Sequence, residues 1–164
     1  MTAKQSFATI LAMLLALVLL GGCSPSSVET PLLTVISGDT AIPAYSALMS
    51  GRTYAENGWV YAHGFNAEYS LPQDYGKLPT VTVTMDFKDF RLEYAPDTEA
   101  KSVTVFNTEF IHIYEELYQP ESIIVLPRGT YYISIRVRQQ GRFIESENEF
   151  ESADYYCMFR LVVE

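Results

Sequence analysis

Three stretches of this 164-residue chain carry residue types that could do chemistry. The densest ligand-like cluster is Glu109-Phe110-Ile111-His112-Ile113-Tyr114-Glu115-Glu116. Glu109 and His112 have Glu-x-x-His spacing, which on the helices of a di-metal bundle converges on an ion. Such a site needs a second pair, and this segment looks like a strand, where the two side chains would point to opposite faces. A surface His beside acidic neighbours is the expectation. The second stretch is Glu145, Glu147, Glu149 and Glu151, followed by Asp154. In an extended ribbon the four Glu project on one side about 7 Å apart, and water, Arg or a cation must relieve their repulsion. One reading is a Ca2+ site built from the hard oxygens of Glu145, Glu147, Glu149 and Asp154. The other is cross-strand pairing, in which a two-residue turn at Gln140-Gly141 sets Arg138 opposite Phe143 and Arg136 opposite Glu145. No Asp-x-Asp-x-Asp-Gly loop is present, and a solvated acidic loop is favoured.

The third stretch is aromatic. Tyr54, Trp59, Tyr61, Phe65, Tyr69 and Tyr75 are interleaved with Asn57, Gly58, His63, Asn66, Gln73 and Asp74. Flat rings beside amide and carboxylate groups are what a sugar- or peptide-binding face requires, the rings for stacking and the polar groups for orientation. The competing reading places Trp59 and Tyr61 in a core, because aromatics are mostly core residues. As a candidate contact surface, 54–75 ranks ahead of the acidic 145–154. Nucleophile and cofactor patterns are missing: the chain has no Gly-x-Ser-x-Gly, no Ser-x-x-Lys, no His-Glu-x-x-His and no phosphate-binding glycine loop. Cys157, flanked by Tyr155, Tyr156, Met158 and Phe159, has the setting of a buried thiol acting as a small hydrophobe. No catalytic residue, metal or dissociable cofactor is therefore expected.

Net charge is −9, from 11 Lys and Arg against 20 Asp and Glu. So acidic a chain is a poor partner for nucleic acid, whose phosphates need a basic face. The apolar residues are unevenly distributed. After Lys4 comes a run over 7–20, apolar except for Thr9, then Gly21-Gly22 and Cys23. Fourteen residues are short for a bilayer core, which needs about 20 in a helix, and suit the apolar region of an export signal. Leu20-Gly21-Gly22-Cys23 resembles the lipobox of bacterial lipoproteins: an aliphatic residue, two small residues, then the modified Cys. That resemblance implies cleavage between Gly22 and Cys23, a diacylglycerol thioether on Cys23 and an acyl chain on its new amino group. It also implies an extracytoplasmic, lipid-anchored protein on a cell membrane or an outer membrane. Two or three acyl chains, at about 0.8 kcal/mol per buried CH2, anchor far more firmly than one. Loss of 1–22 removes Lys4 and no acid, so the mature charge becomes −10. Residues 23–31 then form a Ser/Pro-rich tether that holds an acidic domain off an anionic leaflet.

The elements that must position these residues are strands. Residues 80–87 alternate, with Val81, Val83, Met85 and Phe87 on one face. Tyr131, Ile133, Ile135 and Val137 oppose Tyr132, Ser134, Arg136 and Arg138, and Tyr155, Cys157, Phe159, Leu161 and Val163 share a face in the last strand. Shorter runs at 32–36, 90–94, 103–106, 110–114 and 122–126 have the same character, and 45–49 or 114–118 could each make one helical turn. The expected fold is all-β: one antiparallel sandwich of about seven to nine strands over 32–164, after a cleaved signal peptide. Leu126-Pro127-Arg128-Gly129-Thr130-Tyr131-Tyr132-Ile133-Ser134-Ile135 resembles a strand of bacterial immunoglobulin-like extracytoplasmic domains, whereas the likeness of Asp154-Tyr155-Tyr156-Cys157 to the tyrosine-corner region is a chance one, because it falls on the final strand rather than the one before it. The mature chain has no second Cys besides Cys23, so the usual inter-sheet disulfide has no partner. The expected function is a non-enzymatic binding or envelope-structural module facing an envelope protein or glycan. The alternative is an enzyme or accessory subunit acting on cell-wall glycan or peptide.

Overall fold

A computed structural model describes residues 31–64, 66, 71, 73, 75–87, 89–116 and 126–164. The signal segment, Gly22, Cys23, most of the tether, Phe65, Tyr69 and Asp74 lie outside the described residues, as does 122–125.

Ten strands are described. They are β1 (Leu33–Ser37), β2 (Thr40–Pro43), β3 (Tyr45–Ala55), β4 (Gly58–His63), β5 (Thr80–Val83), β6 (Phe90–Tyr94), β7 (Thr98–Phe106), β8 (His112–Glu116), β9 (Gly129–Ile144) and β10 (Glu149–Val163). A small sheet has the order β2-β1-β6, and a large one runs β4-β3-β10-β9-β7-β8. Strand β5 lies beside the C-terminal end of β10, on the edge that β3 pairs with further upstream, and it runs parallel to β10. All other pairings are antiparallel.

The fold is therefore the expected all-β sandwich, with more strands than the seven to nine anticipated and one parallel contact. The additional strands are β2, β3 and β4. Residues 45–49 were expected to allow a helical turn, yet they begin β3. Neither face of β3 is fully buried or fully open, and its register with β10 shifts between Asp154 and Tyr155. Both effects erase the period-two signal on which strand recognition depends.

The inward alternation of β9 and β10 holds as expected. Ile133, Ile135, Val137, Cys157, Phe159 and Leu161 are at most 1% exposed and meet Leu33 and Val35 of β1. Phe90, Leu92 and Tyr94 of β6, paired beside β1 in the small sheet, pack against the same core. Burying side chains of this size contributes about 1.5–3 kcal/mol each. The expected strand over 80–87 is shorter: β5 stops at Val83, Met85 is exposed, and Phe87 turns at φ 50° to reach the core.

The opposite face of the large sheet divides in two. At one end, Leu71, Leu78, Phe106, Tyr132 and Met158 form a second apolar cluster, against which Tyr45, Phe110 and Tyr156 pack. At the other end the same face is polar.

Candidate functional site: a polar cleft on the large sheet

The hairpin joining β9 and β10 shapes the polar end. A turn was expected at Gln140-Gly141, but β9 continues through these residues to Ile144. Phe143 pairs with Phe150, their rings 4.7 Å apart, and this extends the ladder past the glycine. At Gly141 a Cβ would stand 3.0 Å from that of Glu151, so the glycine marks a close approach of two strands rather than a reversal. The chain reverses at 145–148, where Asn148 adopts φ 52° and donates its N–H to the Glu145 carbonyl. Asn tolerates this left-handed conformation better than most residues.

Moving the turn moves every partner. Arg138 lies opposite Asp154, and Arg136 opposite Tyr156, rather than opposite Phe143 and Glu145. Glu145 and Glu147 sit in the turn, and the ladder is irregular between Phe150 and Ser152, so the four Glu do not form a single row. The acids meet arginines instead. Glu149 accepts from Arg52 Nη1 at 2.6 Å. Glu151 accepts from the Tyr54 amide at 2.9 Å and from Arg142 Nη2 at 3.2 Å, and Glu147 accepts from the Tyr54 hydroxyl at 3.1 Å. Asp154 accepts from Arg138 Nε at 2.8 Å, Arg138 Nη2 at 3.1 Å and Arg136 Nη2 at 2.9 Å. Among the described residues no group of three or more His, Cys, Asp and Glu is placed to hold a metal ion. The structure thus does not bring Glu145, Glu147, Glu149 and Asp154 together as a Ca2+ cage.

These contacts set the charge states. Burial pushes the Asp154 carboxyl up, but hydrogen bonds from Arg138 and then Arg136 outweigh it and hold the group below its ordinary range. The same bond raises Arg138. The Tyr54 amide, against a smaller opposing desolvation and with help from Arg142, lowers Glu151.

The aromatic stretch is split. Hairpin β3–β4 turns through Glu56 and Asn57, with Gly58 following at φ 103°, and pairs Tyr54 with Trp59, Arg52 with Tyr61 and Ser50 with His63. These six side chains share the face that carries Asp154 and Ser152, since Ser50 and Arg52 lie opposite those two residues. Trp59 and Tyr61 therefore do not enter the core. Tyr61 is 64% exposed. Trp59 meets Tyr54 edge-on at 5.2 Å and lies 4.9 Å beneath the Arg52 guanidinium, a cation–π contact that fixes the arginine laterally. Tyr75 stands elsewhere, beside Phe110 and Tyr132 in the apolar end, so the 54–75 segment is not one surface. His112 packs its ring near Phe106 at 5.8 Å, and Glu109 donates its amide to Asn107 Oδ1.

Two adjoining clefts open on this polar face. The smaller, about 400 Å3, lies among Ser50, Arg52, Tyr61, His63, Arg138 and Asp154. The larger, about 530 Å3, reaches from Arg52 and Arg138 towards Asp97, Lys101, Gln140 and Phe150. They share Arg52, Arg138 and Ser152, and both volumes fall in the range of small-ligand sites, about 300–1,000 Å3. Arg52, Ser152 and Gln140 carry no local sequence signal that marks them for this face. Arg52 is brought in by pairings across β10 and β4, and the Asn57-Gly58 turn signal is the local clue that reveals its hairpin. Compared with protein-family models, curated proteins and solved structures, the chain matches none.

Proposed function

We propose that this chain is an extracytoplasmic lipoprotein, held on a cell membrane or outer membrane by acyl groups at Cys23. Its β-sandwich acts as a non-enzymatic binding module for an envelope glycan or protein, without nucleic acid as a partner. The observation that carries the binding reading is the exposed Tyr61 ring beside two adjoining polar clefts on a rigid sheet face. A ring set at the edge of hydrogen-bonding side chains supplies stacking area and orientation together. The reactive groups nearby favour binding over catalysis. Asp154 is held ionised by two arginines, which weakens it as a proton carrier. Cys157 lies on the core face, fully buried, with its thiol pushed up to about 11 by burial.

The test uses full-length protein. Wild type should partition with membranes and Cys23→Ala should not; membrane retention of that variant overturns the anchor. In detergent, wild type should retain an isolated envelope glycan or surface protein, and Tyr61→Ala should lose at least tenfold in affinity. Unchanged retention by Tyr61→Ala overturns the assignment of the binding face.

A further inference from the structure

The two clefts differ in charge. Around the larger, Arg52, Lys101 and Arg138 face Asp97, Glu99 and Glu149, so charge balances. Around the smaller, Arg52 and Arg138 face Asp154, and Glu149 pairs with Arg52 at the border of the two clefts. Arg136 stands behind the Asp154 carboxylate and shares it, which makes the smaller cleft cationic in a chain of net charge −9.

Donors remain open on both arginines. Arg52 engages Glu149 through Nη1 and Ser152 Oγ through Nε at 3.3 Å. Arg138 engages Asp154 through Nε and Nη2. Among the described residues, Arg52 Nη2 and Arg138 Nη1 have no hydrogen-bond partner. Both guanidiniums are fixed in place by their carboxylates, and Arg52 also by Trp59, so little side-chain entropy remains to be lost when an anion docks. Guanidinium forks match a planar carboxylate in geometry and charge. Tyr61, the pairing partner of Arg52 across β3 and β4, borders the same cleft with an open ring face.

Resting on the reading of this face as a binding site, we infer that the smaller cleft takes a carboxylate-bearing sugar residue of an acidic polysaccharide. Its carboxylate meets Arg52 and Arg138, its ring lies on Tyr61, and Ser50, Ser152 and His63 meet its hydroxyl groups. The larger cleft, continuous with the smaller through Arg52, Arg138 and Ser152, receives neighbouring sugars of the same chain. Its charge balance suits neutral units. A peptide fits less well, because Phe150 is the one large apolar side chain on either lining besides Tyr61, and a peptide's apolar side chains would find little to cover them.

Calorimetry with the full-length protein in detergent tests this against three probes: a uronate tetrasaccharide, its carboxyl-reduced neutral counterpart, and hexaglutamate. The uronate should bind at least tenfold more tightly than the neutral sugar, and the preference should shrink with added salt. Arg52→Gln should abolish the preference, whereas Tyr61→Ala should weaken both sugars alike. Tyr61→Ala is a surface change and Arg52→Gln removes a partly exposed ion pair with Glu149; a melting temperature near that of wild type verifies folding of each. Equal binding of the neutral sugar, or an unchanged preference in Arg52→Gln, overturns the acidic-sugar assignment and leaves the binding module standing. Hexaglutamate binding as tightly as the uronate makes the ligand a peptide and overturns it too. If no probe binds while envelope material is still retained, the ligand class is wrong; if nothing is retained at all, the binding module itself fails.

Discussion

Asp154→Asn tests the electrostatic anchor of the polar face. The side chain of Asp154 is 8% exposed and receives three hydrogen bonds from Arg136 and Arg138. Asparagine keeps the shape but offers one acceptor oxygen and turns an N–H2 group towards a guanidinium. Breaking a fully buried ion pair costs about 3–5 kcal/mol. Here water reaches both arginines, whose side chains are 34% and 46% exposed, so the loss is discounted to about 2 kcal/mol. For a unit of this size that corresponds to a fall in melting temperature of roughly 6–10 °C. The pH dependence carries the sharper test. The folded carboxyl is held below its unfolded value, so its contribution is complete above the unfolded pKa, about 3.9. It disappears as pH falls through the lower folded value. Thermal melts followed by circular dichroism should show the full gap between wild type and Asp154→Asn at pH 7, narrowing below about pH 4. A drop under about 2 °C at pH 7, or a gap that stays constant down to pH 3, refutes the reasoning.

Two further predictions concern the strands around the site. In the Cys23→Ala chain, Cys157 is the remaining thiol; buried, and raised to about 11, it should resist a maleimide reagent at pH 8 until denaturant unfolds the sandwich. Labelling of native protein at the rate of a free thiol would contradict its burial. Asn148→Val should lower stability by about 1–2 kcal/mol in urea titration, because a β-branched residue is strained at positive φ, while Asn148→Gly should stay within a few tenths. Equal stability of all three chains would place the reversal somewhere other than 145–148.

Strands with one face in the core could be recognised from local sequence. Ile133, Ile135 and Val137 alternate with Ser134, Arg136 and Arg138 because one side enters the main apolar core, whereas on the other the two arginines stay partly open to water. The same rule names the inward face of β10. It fails for β3, which is half-buried on both sides and irregular in register, and it misplaces the hairpin turn because a glycine can mark either a reversal or a close approach. For Gly141 the deciding fact is the position of Glu151, ten residues later on the neighbouring strand.

The candidate site shows the same division. The local pattern marked Tyr54, Trp59 and Tyr61 as unusual, and marked Arg136 and Arg138 as lying on a polar face. It did not indicate which acids the arginines would meet, because a carboxylate run has no preferred partner until register is set. Moving the centre of one turn by six residues, from 140–141 to 145–148, sent Arg138 to Asp154 and left Glu145 and Glu147 in the turn. Arg52 reaches the same floor only through pairing with Ser152, one hundred residues further along the chain.

By itself, therefore, the sequence determined the all-β class and the inward faces of β9 and β10, since both follow from the two-residue period of an extended chain. Tertiary structure alone decided which charges neutralise one another and where donors stay open. Hydrogen bonds and ion pairs act over a few ångströms, and only the packed sheet brings Arg52, Arg138 and Tyr61 within that reach.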